Sequence, residues 1–112
     1  MKRELKLFLN DISENINLIE NSTKNLTKKD FESNRTLVDA TIRRLEIIGE
    51  AVKNLPKEFR SKHTHIEWSD IAGFRDIIIH AYFVVDIDKV WNVVKDDIPS
   101  LKKDIQKILK EF

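Results

Sequence analysis

Arg75, Asp76, His80 and Tyr82 fall within one short run, R-D-I-I-I-H-A-Y. Histidine titrates near neutrality, so it can take up a proton and return it. Arginine stays charged, and its planar fork matches two oxygens of a phosphate. A carboxylate one helical turn before a histidine can orient the ring and favour the imidazolium. These types in this order suit proton transfer beside an anionic group. Each has a plainer reading too. Arg75 reads as a buried ion-pair residue, His80 as a satisfied helix-end histidine, Asp76–His80 as an exposed i,i+4 pair, and Tyr82 as a half-buried phenol on a backbone carbonyl.

Metal chemistry finds little support. The chain has no cysteine, which removes thiolate sites and disulfides alike. His63 and His65 sit two apart among Lys62, Thr64 and Glu67, with nothing to complete a ligand set, and read as surface histidines. No carboxylate cluster suits two metals. No cofactor and no metal are expected.

The elements that must position the motif are helical. Two glycines and two prolines in 112 residues leave little room for hairpins. That length suits a single domain over 1–112 with one modest core. A net charge of +1 with 35% charged residues gives no global argument for nucleic acid, so such binding needs a local basic patch. Arg43, Arg44, Arg60 and Lys62 are candidates for one. No apolar run approaches the roughly 20 residues that span a bilayer, and charges interrupt the N-terminal apolar stretch, unlike a signal peptide. A soluble cytoplasmic protein without membrane contact is expected.

Periodicity predicts a first helix from about Lys2 to Glu20, striped by Leu5, Phe8, Leu9, Ile12, Ile16 and Ile19. Thr27 and Asp30 resemble a capping box. A second helix spans about Asn34 to Asn54, with Val38, Ile42, Leu45, Ile48 and Val52 inward. Its outer face (Asp39, Arg43, Glu46, Glu50, Lys53) reads as a solvated surface; the sharper alternative sends Glu46 or Glu50 to neutralise Arg75. After Pro56 comes a polar turn and loop. A third helix is predicted over about Glu67 to Ala81, Trp68 anchoring its first turn. Ile71, Phe74, Ile78 and Ile79 form its apolar stripe with Arg75 among them; Ser69, Gly73, Asp76 and His80 lie opposite. Asp86 reads as the N-cap of a fourth helix, and Pro99 as a first-turn proline restarting the chain. The fold class is all-α, an up-and-down antiparallel bundle of four main helices plus a short one.

The motif R-x-x-x-x-H-x-Y, late in a small helical chain, resembles that of the HEPN superfamily. I-G-E-A at 48–51, W-S-D-I-A-G-F-R at 68–75 and Y-F-V-V-D-I-D-K-V-W at 82–91 are similar to the HepT-like toxins encoded beside a minimal nucleotidyltransferase (MNT) antitoxin. The likeness covers about Val38 to Leu101; Ala81 stands where a glycine is common. The resemblance implies a homodimeric, metal-independent endoribonuclease whose subunits line one cleft. Arg75 and His80 would be its catalytic pair, Asp76 their support and Tyr82 the acceptor of AMP from the antitoxin. It implies an RNA substrate whose own 2′-hydroxyl attacks the adjacent phosphate, chemistry that this set of side chains can serve. A rival reading is a non-catalytic dimeric module that binds a nucleotidyltransferase partner or nucleotide. On a regular helix the five-residue step from Arg75 to His80 turns about 140° and rises roughly 7.5 Å. The pair then diverges within one chain, unless the helix distorts near Ala81 or two subunits supply one group each. The second choice predicts an isologous dimer around the third helix, with Ser69 and Gly73 permitting close approach.

Overall fold

The computed structural model describes residues 2–74, 76, 79–80 and 84–112, with the backbone alone for Lys2, Ile79 and His80. Helix α1 (Lys2–Thr23) drives Leu9, Ile12, Ile16 and Ile19 fully into the core, at the three- and four-residue steps that build one helical face. Thr23 is buried at its end and donates its hydroxyl to the Ile19 carbonyl at 2.7 Å. Asn25 then turns the chain through a positive φ of 67°, which asparagine tolerates better than most residues. The capping box forms as the sequence suggested: Thr27 Oγ1 accepts from the Asp30 amide and Asp30 Oδ2 from the Thr27 amide, both at 3.1 Å.

Helix α2 (Lys28–Glu32) places Phe31 in the core against Trp91, with ring centroids 5.3 Å apart. Asn34 caps α3 (Arg35–Lys53) by accepting from the Leu37 amide at 3.0 Å. Helices α1 and α3 are antiparallel neighbours. Arg44 reaches Ser22 Oγ at 3.2 Å late in α1, while Ala51 and Asn54 share a groove with Phe8 and Asp11 early in it. After Pro56 come α4 (Lys57–Ser61) and α5 (Trp68–Ala72). Trp68 is buried, as its predicted anchoring role requires.

The third helix is shorter than its apolar stripe implies. Helix α5 ends at Ala72 with Gly73 as its cap; Phe74 and Asp76 are helical again, but Ile79–His80 form a strand, β1. It pairs antiparallel with β2 (Val84–Val85), Ile79 opposite Val85 and His80 opposite Val84. Ile79 and the valines at 84–85 are β-branched, and their stiff χ1 angles favour extended backbone. Ile79, read as part of a stripe with a period of 3.6, thus serves in a short ladder.

The last two predicted helices are one. Asp86 caps the start, accepting from the Lys89 amide at 3.1 Å, as expected. Helix α6 (Ile87–Asn92) passes through a π-helical turn (Val93–Asp97) directly into α7 (Ile98–Leu109). Pro99 does not restart the chain. It has no N–H and crowds the carbonyl four residues back in an α-helix; the wider turn ahead of it, where the Ile98 amide reaches the Val93 carbonyl, accommodates that misfit. Lys95 donates to the Thr23 carbonyl at 3.4 Å and Lys102 to Glu20 at 2.5 Å, tying the long C-terminal helix to α1. The all-α bundle is as predicted, and its described elements share one apolar core. No helix among the described residues is long and apolar enough to cross a membrane.

Phe31 joins a five-residue helix to Trp91 across the bundle. Phe31→Ala is expected to cost about 3–5 kcal/mol, read as a lower denaturant midpoint by circular dichroism. A loss below about 1 kcal/mol would show that α2 is peripheral to the core.

Candidate active site

The approach to the motif begins at Trp68. Its indole N–H is shared between the carbonyls of Arg60, at 3.2 Å, and His63, at 3.0 Å. The Phe59 ring lies 4.8 Å from that of His63 and 6.1 Å from that of Trp68. This fixes the α4 turn to the first residue of α5.

The far end of α5 is fixed by an absence of side chain. A Cβ built on Gly49 would stand 3.2 Å from the carbonyl oxygens of both Ile71 and Ala72. Those are the last carbonyls of α5, which helix geometry leaves without intrahelical donors. Glycine in mid-helix costs roughly 1 kcal/mol against alanine, and here it permits the backbone of α3 to lie against that terminus. The sequence carried a signal for this position: an isolated glycine inside an otherwise regular helical stripe.

Asp76 follows at once, exposed, its amide bonded to the Gly73 carbonyl at 2.9 Å. It lines a cleft of about 270 Å³ with Ala72, Gly49, Arg43, Glu46, Glu50 and Lys53. The polar face of α3 is the solvated surface expected, with Asp39, Arg43, Glu50 and Lys53 exposed, and its second half borders the cleft across from Asp76. Lys53 and Glu50 pair there at 3.4 Å. His80 lies on β1 opposite Val84. Arg75 and Tyr82 lie outside the described residues, and with them the neutralisation of Arg75 by Glu46 or Glu50. The chain leaves the helix before Ile79, so the divergence argued from a regular helix does not apply, and the distortion falls earlier than Ala81. The case for two subunits sharing the site loses that geometric support.

The candidate basic residues disperse. Arg43 is in the cleft, Arg44 is occupied on α1, Arg60 faces a separate groove and Lys62 is exposed at the end of α4. His63 stacks on Phe59, while His65 Nε2 sits 3.7 Å from Asp104 Oδ1. Among the described residues no group of three or more His, Asp or Glu is arranged to hold a metal ion. On the other side of α5, Glu67, Asp70, Asp97 and Asp104 line an acidic hollow of about 150 Å³ floored by Ile71, Phe74 and Leu101. Partial burial, then the charges of Asp96 and Asp70, push the Asp97 carboxyl above its usual range.

A helical bundle that leads a short helix into a charged cleft, with R-x-x-x-x-H-x-Y following, defines a HEPN-like protein. The chain belongs to the ribonuclease HepT-like family, whose model matches residues 12–108. It is 54% identical over 112 residues to a Methanocaldococcus jannaschii protein named as a gamma-glutamylcyclotransferase and presumed RNase. The match takes in all of this chain but 50% of that relative, so the chain spans half its length. It is 48% identical over 110 residues to the "Probable ribonuclease HepT" of Thermococcus cleftensis, covering 98% of this chain and 100% of the relative. A second M. jannaschii protein, named as a presumed RNase, is 46% identical over 111 residues, 99% of this chain and 92% of its own length. No solved structure matches the chain. The enzyme class that membership gives is ribonuclease.

Two outcomes test this geometry. Gly49→Val, which sets a branched side chain against two carbonyls, is expected to cost about 1–3 kcal/mol and to lower RNA cleavage beyond what the lost stability explains; unchanged melting would show that α3 and α5 separate freely. Asp97 holds its proton more tightly in the folded chain than in the unfolded one. Its charge therefore opposes folding at neutral pH, and stability from this group rises as pH falls through the raised value, levelling off below the ordinary 3.8. Asp97→Asn should raise the melting temperature at pH 7, with the gain shrinking towards pH 4. A pH-independent difference would assign the effect to packing.

Proposed function

We propose that the chain is a metal-independent endoribonuclease and the toxin of a toxin–antitoxin pair. What carries this reading is membership of the ribonuclease HepT-like family together with a complete R-x-x-x-x-H-x-Y motif. His80 takes the proton of a ribose 2′-hydroxyl as its oxygen attacks the adjacent phosphorus; the bond to the 5′-oxygen breaks, and that oxygen leaves with the proton that His80 returns. Arg75 holds two non-bridging oxygens as negative charge gathers on the phosphorane. Asp76 orients the imidazole and stabilises the imidazolium that forms once the proton is taken. The products are a 2′,3′-cyclic phosphate and a 5′-hydroxyl, and no metal is required.

Two copies face one another as a homodimer, each bringing its motif to a shared cleft. The exposed Asp76, at a cleft that also holds Arg43, is in keeping with that arrangement. An MNT-type nucleotidyltransferase acts as antitoxin by adding AMP to Tyr82, where the new phosphate repels RNA and the adenosine blocks entry.

The test is cleavage of total RNA by the purified chain with chelator present. Wild type should release cyclic-phosphate ends, and Arg75→Ala and His80→Ala should each slow release by about 10²–10⁴-fold. A folded wild type that cuts nothing would favour the rival reading, a dimeric module that binds a nucleotidyltransferase or nucleotide. Tyr82→Phe should cleave RNA normally yet resist the antitoxin; continued inhibition by the antitoxin would show that it acts by binding.

A further inference from the structure

A groove of about 380 Å³ lies between α4 and the start of α5. Lys57 and Arg60 project into it, with Thr64, Ser69 and the edge of Trp68, against one acid, Glu67. Neither Lys57 nor Arg60 has an ion-pair partner among the described residues. The other hollows near α5 differ: one is acidic and the other sets Arg43 and Lys53 against Glu46, Glu50 and Asp76. Arg60 carries a second mark. Its Nε is the one buried side-chain polar atom among the described residues without a hydrogen-bond partner, and an unmade bond of that kind is costly enough to call for a reason. A guanidinium that turns outward to grip an anion through Nε and a terminal nitrogen makes that bond in full.

The groove is coupled to the cleft of Asp76. Trp68 and Ser69 at one end of α5 line the groove and Ala72 at the other lines the cleft, four residues on from Trp68 and so on the same face, with Asp76 following beyond the Gly73 cap; Asp70, Ile71 and Phe74 turn towards the acidic hollow, and Glu67 borders both. From Trp68 to Ala72 the helix rises about 6 Å. The doubled hydrogen bond from the Trp68 indole to the backbones of Arg60 and His63 keeps this spacing from drifting.

We propose that this groove is a phosphate subsite for single-stranded RNA, engaging the strand beside the bond to be cut. The assignment rests on the ribonuclease reading above for its purpose, though not for its chemistry. Lys57 and Arg60 take backbone phosphates, and the hydroxyls of Thr64 and Ser69 supply donors without base preference. The subsite holds the strand and plays no part in the proton transfers, so its loss appears in KM with kcat kept.

The measurement is binding of a short fluorescent 2′-O-methyl RNA, which lacks the attacking hydroxyl, across a salt series. Lys57→Gln and Arg60→Gln should each weaken binding about tenfold at low salt and flatten the slope of log K against log salt by about 0.7 per charge removed. Arg60→Lys, which keeps the charge, should retain most of the slope, separating phosphate contact from damage to the fold. Unchanged affinity and slope in folded Lys57→Gln and Arg60→Gln would overturn the subsite, as would loss in those variants of poly-glutamate binding with RNA binding intact, which would assign the groove to an acidic protein. If the variants lose RNA binding while wild type cleaves no natural RNA, the subsite stands and the ribonuclease reading falls; cleavage by wild type with binding indifferent to both residues does the reverse.

Discussion

Where α3 crosses the end of α5, a single hydrogen atom separates two backbones that a methyl group would push apart. Gly49 faces the Ile71 and Ala72 carbonyls at a distance a Cβ could hold only at 3.2 Å. Much of the site depends on this crossing. The wall that α3 contributes to the cleft, from Arg43 to Lys53, faces Asp76 only because the helices come so near. A side chain at this position would require the two backbones to give by a few tenths of an ångström. The segment that carries the R-x-x-x-x-H-x-Y motif is thus approached through this crossing, with Asp76 on the cleft just beyond it.

The other side of α5 is held less comfortably. The π turn at Val93–Asp97 brings Asp97 towards Asp70, so the seam between α5 and the C-terminal helix carries like charges around an apolar floor. Lys95 and Lys102, one in that turn and one just beyond it, bond instead to Thr23 and Glu20 of α1. Helix α5 is held at Gly49 and Trp68, and along the seam its contact is the buried apolar floor of Ile71, Phe74 and Leu101 beneath the carboxylates.

Local rules made much of this legible. Stripes at steps of three and four gave α1 and α3, the Thr27–Asp30 pair gave a true capping box and Asp86 a true cap, because each depends on neighbours in sequence. The errors share one cause. Ile71, Phe74, Ile78 and Ile79 satisfy a helical period, but four positions cannot separate a helix from a helix followed by a β-branched strand; the pairing of Ile79–His80 with Val84–Val85 depends on a return of the chain that periodicity does not encode. Pro99 holds the first-turn place read for it, and only the break expected before it is missing, because the π turn keeps the helix whole. Lys57 escaped notice altogether. A lysine after a proline is unremarkable until Trp68 draws α4 against α5.

The arrangement of charge around α5 explains how a chain with a net charge of +1 can discriminate against part of its own surface. Helix α5 turns Asp70 to the side where Asp97 and Asp104 wait, while Ser69 and Ala72 open towards Lys57, Arg60 and Arg43; Glu67, just ahead of the helix, borders both sides. At physiological salt the screening length is about 8 Å, comparable to the length of this helix, so the two sides are felt separately by a charged strand. Among the described residues the flank at Lys57 and Arg60 is basic and the hollow at Asp70, Asp97 and Asp104 acidic, without any global excess of positive charge. Composition could not reveal this, because opposite charges placed on opposite sides of five residues cancel in every sum. On the subsite proposed above, a polyanion at Lys57 and Arg60 would be turned away from the acidic seam, which leaves it the face of Ser69.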